Sequence, residues 1–432
     1  MSENMTFIAT GDSFISRPLP AKGNVGFNEL TALFGQSEVK FTNLETTIHE
    51  KEGYPSAVSG GTWAMASPQV LNDLKTYGFN MMNWATNHTL DYSHGGLMAT
   101  KKYLEKQELV HAGAGLNMAE ACAPKYLETS QGRVALIAAT STFHTSWVAG
   151  DQRPDMPGRP GINPLHYKSK YIVTQEKMDQ LRSIAEVTEI NSERELAIKE
   201  GFEIESEEKN TFKFGDYLFK VGQEEGKETV PQEMDMQRIR KSVLEAKRQA
   251  DYVLISIHSH EMKGMDKSQP ADFLINFSRK CIDWGAHAVI GHGPHILRGI
   301  EIYKNRPIFY SLGNFIFQNE TISHLPADFY EKYDLDDTHN VADALDKRSK
   351  EGTIGLGTNP NIWESVIPIW KMKGGKLVEL KLYPIELGYG LPRYKKGWPS
   401  LSHNERILEK LNDLSYPFGT TIHIENGMGR IY

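Results

Sequence analysis

Short apolar runs alternate along the chain with amphipathic stretches, which is the pattern of α/β proteins. The runs end in polar or glycine-containing residues, as buried strands do, and the intervening stretches carry apolar side chains at the i, i+3 and i+4 spacing of helices. The pattern predicts strands at 7–10, 39–42, 80–84, 134–138, 252–257 and 288–290. It predicts helices at 66–77, 95–107, 233–249 and 271–284.

The same pattern divides the chain into a core and two insertions. Residues 1–318 are predicted to form one α/β domain, and a hairpin lies near its end at 300–312. Within it, 169–231 is rich in Glu and Lys and includes the acidic run 203–209, so we expect helices and loops that form a lid or cap. The remainder, 319–432, is predicted to be a loop insertion followed by strands that complete the same domain.

Charge and cysteine content narrow the possible functions. The 432 residues contain 48 Lys and Arg against 55 Asp and Glu, so the basic surface of a dedicated nucleic-acid binder is missing. The two cysteines, Cys122 and Cys281, lie far apart, which excludes a disulfide framework and a thiolate zinc site. We see neither a signal peptide nor a stretch of about 20 apolar residues, and therefore expect a cytoplasmic protein without a membrane span.

Polar residues of the kinds that bind metals or transfer protons follow almost every predicted strand. They are Asp12, Asn43 with Glu45, Asn87 with His88 and Asp91, His258 with His260, His292 with His295, and Asn314. Ligands of open parallel sheets bind outside the carboxyl ends of the strands, so six chain segments are predicted to meet in one crevice. Turn chemistry explains any one of these residues, but it does not explain six strand ends together.

Oxygen and imidazole donors without thiolate suit Mn, Zn, Fe or Mg ions, and imidazole favours the transition metals. The predicted metal ligands are Asp12, Glu45, Asn87, His258, His292 and His295. Two ions about 3.5–4 Å apart, bridged by a carboxylate, activate water for attack on phosphorus or a carbonyl carbon. The predicted catalytic residues are Asp12, His88, Asp91, His260 and His295, of which His88 and Asp91 form an acid/base pair.

The motifs resemble the capsule-synthesis proteins of poly-γ-glutamate biosynthesis (CapA or PgsA type), which are similar to calcineurin-like metallophosphoesterases. The resemblance covers about residues 5–318, with 169–231 as an insertion, and its motifs lie at 11–12, 43–45, 87–91, 113–115, 157–164, 291–295 and 310–315. It implies a four-layer αββα sandwich with the site at the strand ends. It also implies an enzyme that acts on a peptide or poly-γ-glutamate-type substrate.

One departure from the superfamily changes the expected metal content. Metallophosphoesterases open with Asp-x-His, whereas this chain has Phe14 in the third position, so one ligand of the first metal is missing. We therefore expect one divalent ion rather than two. A site without any metal stays open as an alternative.

Three functions remain after these arguments. The first is metal-assisted hydrolysis or transfer, in which Arg17, Arg159, Asn163, Arg298 and Asn314 bind the substrate, since arginine forks suit carboxylates and phosphates. The second is a metal-independent peptide epimerase that uses Asp and His residues as acid/base pairs. The third is a non-catalytic binding protein of polyglutamate synthesis, because a fold does not dictate a function. The sequence leaves the oligomeric state open.

Overall fold

A computed structural model gives the structure of the chain and describes residues 4–20, 26–204 and 210–432. The strands in these ranges are β1 Met5–Phe14, β2 Val39–Leu44, β3 Thr47–Ile48, β4 Met65–Ala66, β5 Met81–Asn83, β6 Val110–Ala112, β7 Ala114–Gly115, β8 Lys125–Thr129, β9 Gly132–Thr140, β10 Gly161–Ile162, β11 Tyr167–Val173, β12 Thr211–Phe214, β13 Tyr217–Val221, β14 Gly226–Pro231, β15 Tyr252–His258, β16 Met262–Lys263, β17 Asp266–Pro270, β18 Ala288–His292, β19 Leu297–Tyr303, β20 Arg306–Leu312, β21 Asn314–Phe317, β22 Glu364–Lys373, β23 Lys376–Glu386, β24 Ser400–Leu401, β25 His423–Glu425 and β26 Met428–Ile431. The helices there are α1 Phe27–Phe34, α2 Gln69–Tyr77, α3 Ser93–Lys106, α4 Met118–Ala121, α5 Gln175–Thr188, α6 Ser192–Lys199, α7 Glu233–Gln249, α8 Asp272–Trp284, α9 Ala327–Lys332, α10 Val341–Ser349 and α11 Glu405–Ser415.

Two mixed sheets form the centre of the fold. The larger has the order β25-β26-β23-β22-β1-β2-β5-β6, in which β1, β2, β5 and β6 are parallel and β22 joins β1 antiparallel. The smaller has the order β19-β20-β18-β15-β9-β8, and β9, β15, β18 and β20 are parallel. All six strands and all four helices predicted from the hydrophobic pattern are confirmed, and each boundary shifts by only a few residues.

The sheets pack face to face, and helices cover both outer faces. Alternate residues of β1 point in opposite directions: Phe7 lies between the sheets, and Ile8 packs among the helices α1, α2 and α3. In β15, Leu254 lies between the sheets and Val253 packs against α7 and α8. Because both faces of these central strands are covered, their residues are largely buried and mostly apolar. The predicted four-layer αββα sandwich is confirmed.

The charged insertion differs from its prediction. We expected helices and loops at 169–231, but a four-stranded sheet with the order β12-β13-β11-β14 accompanies α5 and α6 there. The strands of this sheet are mostly half-buried or exposed, and the many Glu and Lys residues of 169–231 made them hard to recognise as strands. Its first strand is anchored by Tyr167, whose ring stacks on Phe273 of α8 at 4.3 Å between centroids. Part of the acidic run, 205–209, lies outside the described residues.

Residues 319–363 contain the helices α9 and α10, and the chain then returns to the larger sheet as β22 and β23. The prediction of a loop insertion is therefore wrong for 319–363, because the two short helices α9 and α10 form there. Among the described residues, no helix has the length and apolar character needed to cross a bilayer.

A close approach of two backbones at Gly11 fixes the end of β1. The Asp12 amide donates to the Gly313 carbonyl at 2.9 Å, and a Cβ added at Gly11 would lie 1.9 Å from that carbonyl oxygen. We expect Gly11→Ala to lower the free energy of unfolding by about 3 kcal/mol, since the backbone must move to relieve the overlap. Urea denaturation measures the effect. Gly226→Ala is the matched control, because its Cβ meets nothing within 4 Å; an equal loss in both variants would contradict the argument.

Candidate metal centre and acid/base pair

The carboxyl ends of the parallel strands bring the predicted ligands together. Asp12 lies near the end of β1, Glu45 directly follows β2, and Asn87 follows β5. His258 and His292 are the last residues of β15 and β18 and are aligned partners in the parallel register. The two sheets therefore each contribute half of one cluster, at the same end of the sandwich.

Asp12, His258 and His292 form the first group of ligand atoms, and all three are fully buried. Asp12 Oδ1 lies 3.8 Å from His258 Nδ1 and 3.7 Å from His292 Nδ1. The two imidazole nitrogens are 3.1 Å apart. One carboxylate and two imidazoles thus face a common point.

The other nitrogen of His258 faces a second group. His258 Nε2 lies 2.8 Å from Asn87 Oδ1, 3.0 Å from His260 Nε2 and 3.9 Å from Glu45 Oε1. A third group consists of Asp12, Glu45 and His295, with His295 Nδ1 3.6 Å from Asp12 Oδ2. The structure therefore brings together all six predicted metal ligands. It adds His260, which the sequence predicted only as a catalytic residue.

The surroundings of the Glu45 carboxylate indicate whether a cation fits this cluster. Glu45 is fully buried, and neither of its oxygens accepts a hydrogen bond within the described ranges. Burial and the nearby Asp12 raise its pKa well above the usual value. A buried carboxylate without a hydrogen-bond partner lowers the stability of the fold. A divalent ion would give it a partner, and the neighbouring imidazoles and amide oxygen could bind the same ion. The donor set fits a divalent ion of the transition series.

The histidines are held in the form that binds metals. Burial lowers the pKa of His292 to about 3 and that of His295 to about 4, so both are neutral at pH 7. Burial also lowers the pKa of His258 well below its usual value. Burial raises the pKa of Asp12 to about 7, against hydrogen bonds from the Gly293 amide and Asn43. His295 adopts a φ of 62°, a conformation uncommon for residues other than glycine and frequent at functional sites.

Residues behind the cluster orient it. Asn43 donates to Asp12 Oδ1 at 2.7 Å, and Asn83 donates in turn to Asn43. Asn314 Oδ1 lies 2.9 Å from His295 Nδ1 and thereby fixes that ring. Asn43 was predicted to lie in the crevice but was given no role, and Asn83 was not among the predicted site residues. The available signal was their register, because Asp12, Asn43 and Asn83 are successive cross-strand partners in β1, β2 and β5.

His88 and Asp91 lie beside the cluster as predicted. His88 Nδ1 is 2.6 Å from Asp91 Oδ2, and the carboxylate also accepts from the Gly60 and Ala64 amides. Burial raises the pKa of Asp91, and the neighbouring His88 acts in the opposite direction. Phe14 packs edge-on against the His88 ring at 5.3 Å.

Four of the five predicted substrate-binding residues point elsewhere. The guanidinium of Arg298 is buried and donates to the carbonyls of Ser259, His260, Glu261 and Lys267. It therefore stabilises the backbone of the segment that contains His260. Arg17 donates to the carbonyls of Tyr394 and Lys396, and Arg159 donates to that of Val148. Asn163 bonds the Ala138 carbonyl and Arg238. Asn314, the fifth, contacts His295.

A cavity of about 150 Å³ opens above the cluster. His88, His260 and His295 form its floor, and two cations, Lys267 and Arg348, contribute to its walls. Neither cation was predicted, because Lys267 in β17 and Arg348 in α10 lie in charged stretches of sequence in which nothing distinguishes them from solvated surface residues.

Comparison with known proteins identifies the family. Residues 6–319 match the family described as bacterial capsule synthesis protein PGA_cap. The chain belongs to this family. It is 36% identical to the Sinorhizobium fredii protein y4sH over 99% of this chain and 93% of the other. It is 23% identical to the capsule biosynthesis protein CapA of Bacillus anthracis, over 73% of this chain and 60% of that protein. A solved structure of a hypothetical protein from Thermus thermophilus has a TM-score of 0.41 and 13% identity, and the alignment covers 88% of this chain and 99% of that one.

Proposed function

We propose that this PGA_cap protein is a metal-dependent enzyme that hydrolyses or transfers a bond in a peptide or poly-γ-glutamate-type substrate. The observation that supports it most is the orphaned Glu45 carboxylate, which lies among neutral imidazoles directly below a cavity. A binding protein has no need for such a cluster, and maintaining it costs stability.

The ligands of the ion would be drawn from Asp12, Glu45, Asn87, His258, His260, His292 and His295, and His258 would bind it through one of its two ring nitrogens. A bound divalent ion supplies the Lewis acidity that activates water and polarises the bond under attack. Asn43, Asn314 and Ser256 hold the ligand side chains in place, the last through a 2.7 Å contact to His292 Nε2.

His88 is the proposed general acid, which in its doubly protonated form gives the Nε2 proton to the leaving group and keeps the Nδ1 proton in its hydrogen bond to Asp91. Its ring lines the cavity, and Asp91 accepts from Nδ1, which leaves Nε2 for the substrate. Asp91 is held by two backbone amides and therefore fixes both the orientation and the tautomer of the ring.

The substrate class rests on family membership and on charge. Curated relatives carry names from capsule and polyglutamate biosynthesis, and poly-γ-glutamate bears a carboxylate on each unit. Lys267 and Arg348 are placed to attract such groups into the cavity. The metal-independent epimerase is less well supported, since Asp12, one of its acid/base groups, is fully buried behind the other ligands.

Metal content and turnover test the proposal together. We expect purified protein to contain a transition ion near one per chain by mass spectrometry and to shorten poly-γ-glutamate, with activity lost on chelation. His292→Gln should lower the metal content more than tenfold, because a ligand and its lone pair are removed. The exposed His403→Gln is the control and should keep both properties. Turnover that survives chelation, with deuterium uptake at Cα in heavy water, would favour the epimerase instead.

A further inference from the structure

A second cavity adjoins the one above the metal ligands. It has a volume of about 170 Å³ and shares four lining residues with the first, namely Phe317, Asn319, Arg348 and Leu356. Because the same side chains line both, the two cavities lie next to each other. We call the two together the insertion groove, since α10 and the segment 352–358 form most of the second cavity, its outer half.

The insertion groove is lined by cations along its length. Arg348 stands at the junction; its guanidinium donates to Thr62 Oγ1 and, in the described ranges, forms no ion pair with a carboxylate. Arg393 and Lys396 line the outer half. Lys267 lies at the inner end and likewise has no carboxylate partner in the part of the chain that the structure describes. Two cations without counter-ions at the junction and the inner end produce a positive potential near the metal ligands.

One acidic side chain already occupies the outer half. Glu320 Oε2 lies 2.7 Å from Lys396 Nζ and 3.5 Å from Arg393 Nε. Asp346 binds the other side of the Arg393 guanidinium. Both cations therefore bind carboxylates in the folded chain, and their geometry suits a carboxylate that arrives on a ligand. Glu320 stands in the position that such a ligand would take.

We propose that the outer half of the insertion groove is a second subsite, which binds a carboxylate-bearing chain next to the bond that reacts. The inference rests on the proposed function, because it extends the same substrate outward from the metal ligands. Arg348 is the specificity-determining residue at the junction, and Arg393 with Lys396 receives a more distant carboxylate. The enzyme therefore distinguishes a polymer from a single unit by its length.

Titration calorimetry with γ-linked glutamate oligomers of one to six units tests the subsite on the full chain. We expect the affinity to rise about tenfold with length in the unmodified protein. Arg348→Gln should remove this gain, because the charge at the junction is lost. The fold should persist, because within the described residues the substitution removes only a hydrogen bond to Thr62 and a contact with the Phe329 ring. Lys347→Gln, an exposed neighbour on α10, removes the same charge outside the groove and should keep the gain.

Glu320→Gln provides a test of opposite sign. It frees Arg393 and Lys396 and should increase the affinity for the hexamer about threefold, whereas the exposed Glu331→Gln should leave it unchanged. An affinity that is independent of length, or equal losses in Arg348→Gln and Lys347→Gln, would overturn the subsite. Tighter binding of polyphosphate than of the hexamer would overturn its assignment to carboxylates.

Binding and turnover separate this inference from the proposed function. Length-dependent binding without turnover would support the subsite and count against the enzyme. Metal-dependent turnover with an affinity that is independent of oligomer length would support the proposed enzymatic function and contradict the second subsite.

Discussion

Glu45→Gln is expected to stabilise the metal-free protein and to weaken the metal-loaded one. In the absence of metal, the native carboxylate is buried without a hydrogen bond and near another carboxylate, Asp12. A glutamine has the same shape, carries no charge and can donate to His295 Nε2, which lies 3.6 Å from Glu45 Oε1. We expect the free energy of unfolding of the metal-free protein to rise by about 1–3 kcal/mol.

The same change removes a ligand and a full negative charge from the cluster. We therefore expect the affinity for Mn²⁺ or Zn²⁺ to fall more than a hundredfold and turnover to fall by a similar or larger factor. Thermal unfolding with and without added metal, together with metal analysis, measures both effects. The stabilisation by metal should shrink from several degrees to almost none.

Glu245→Gln on the exposed side of α7 is the matched control, and it should change neither quantity. A metal-free Glu45→Gln protein that is less stable than the unmodified one would mean that the carboxylate is satisfied without an ion. Unchanged metal content would remove Glu45 from the ligand set.

The positions of the ligands follow from the sequence because strand ends are easy to recognise. Apolar runs in β1, β15 and β18 are buried on both faces, so their hydrophobic pattern is strong, and the polar residue that ends each run stands out. Parallel pairing then places these ends at one edge without further information. The α/β alternation and the meeting of these side chains were therefore accessible from pattern alone, whereas the four-layer arrangement was implied by the family resemblance.

Sequence does not show what a guanidinium donates to, so it could not reveal that the three arginines predicted to bind substrate donate to carbonyls within the chain. Arg298 looked like an oxyanion ligand, yet its donors are used by backbone carbonyls, which nothing in the local sequence indicates. Arg348 lies in the stretch predicted to be a loop insertion, and only the folding of 319–363 over the strand ends places it at the cavity. The strands β11 to β14 were missed because Glu and Lys dominate the composition of 169–231, and the short aromatic runs at 211–214 and 217–219 were not interpreted as strands.

His88→Gln is expected to abolish catalysis while the metal centre stays intact. His88 belongs to none of the three groups of candidate ligand atoms, and its ring lines the cavity instead. Loss of a general acid lowers kcat by about 10²–10⁴-fold, and glutamine keeps a polar side chain of similar length in its place. Metal content and the affinity for glutamate oligomers should match those of the unmodified protein.

Asp91→Asn should produce a different defect, which separates orientation from proton transfer. The Asp91 carboxylate accepts from the amides of Gly60 and Ala64 as well as from His88. In asparagine an NH₂ group replaces one of the two acceptor oxygens, so at least one of these three donors would face another donor. We expect kcat to fall and the free energy of unfolding to fall by about 1–3 kcal/mol, because a buried donor loses its acceptor. His88→Gln should leave the free energy of unfolding within about 1 kcal/mol of the unmodified value. If His88→Gln retained full turnover of poly-γ-glutamate while Asp91→Asn lost it, the pair would serve to hold the 60–64 segment, and the proton would come from another group at the cavity floor.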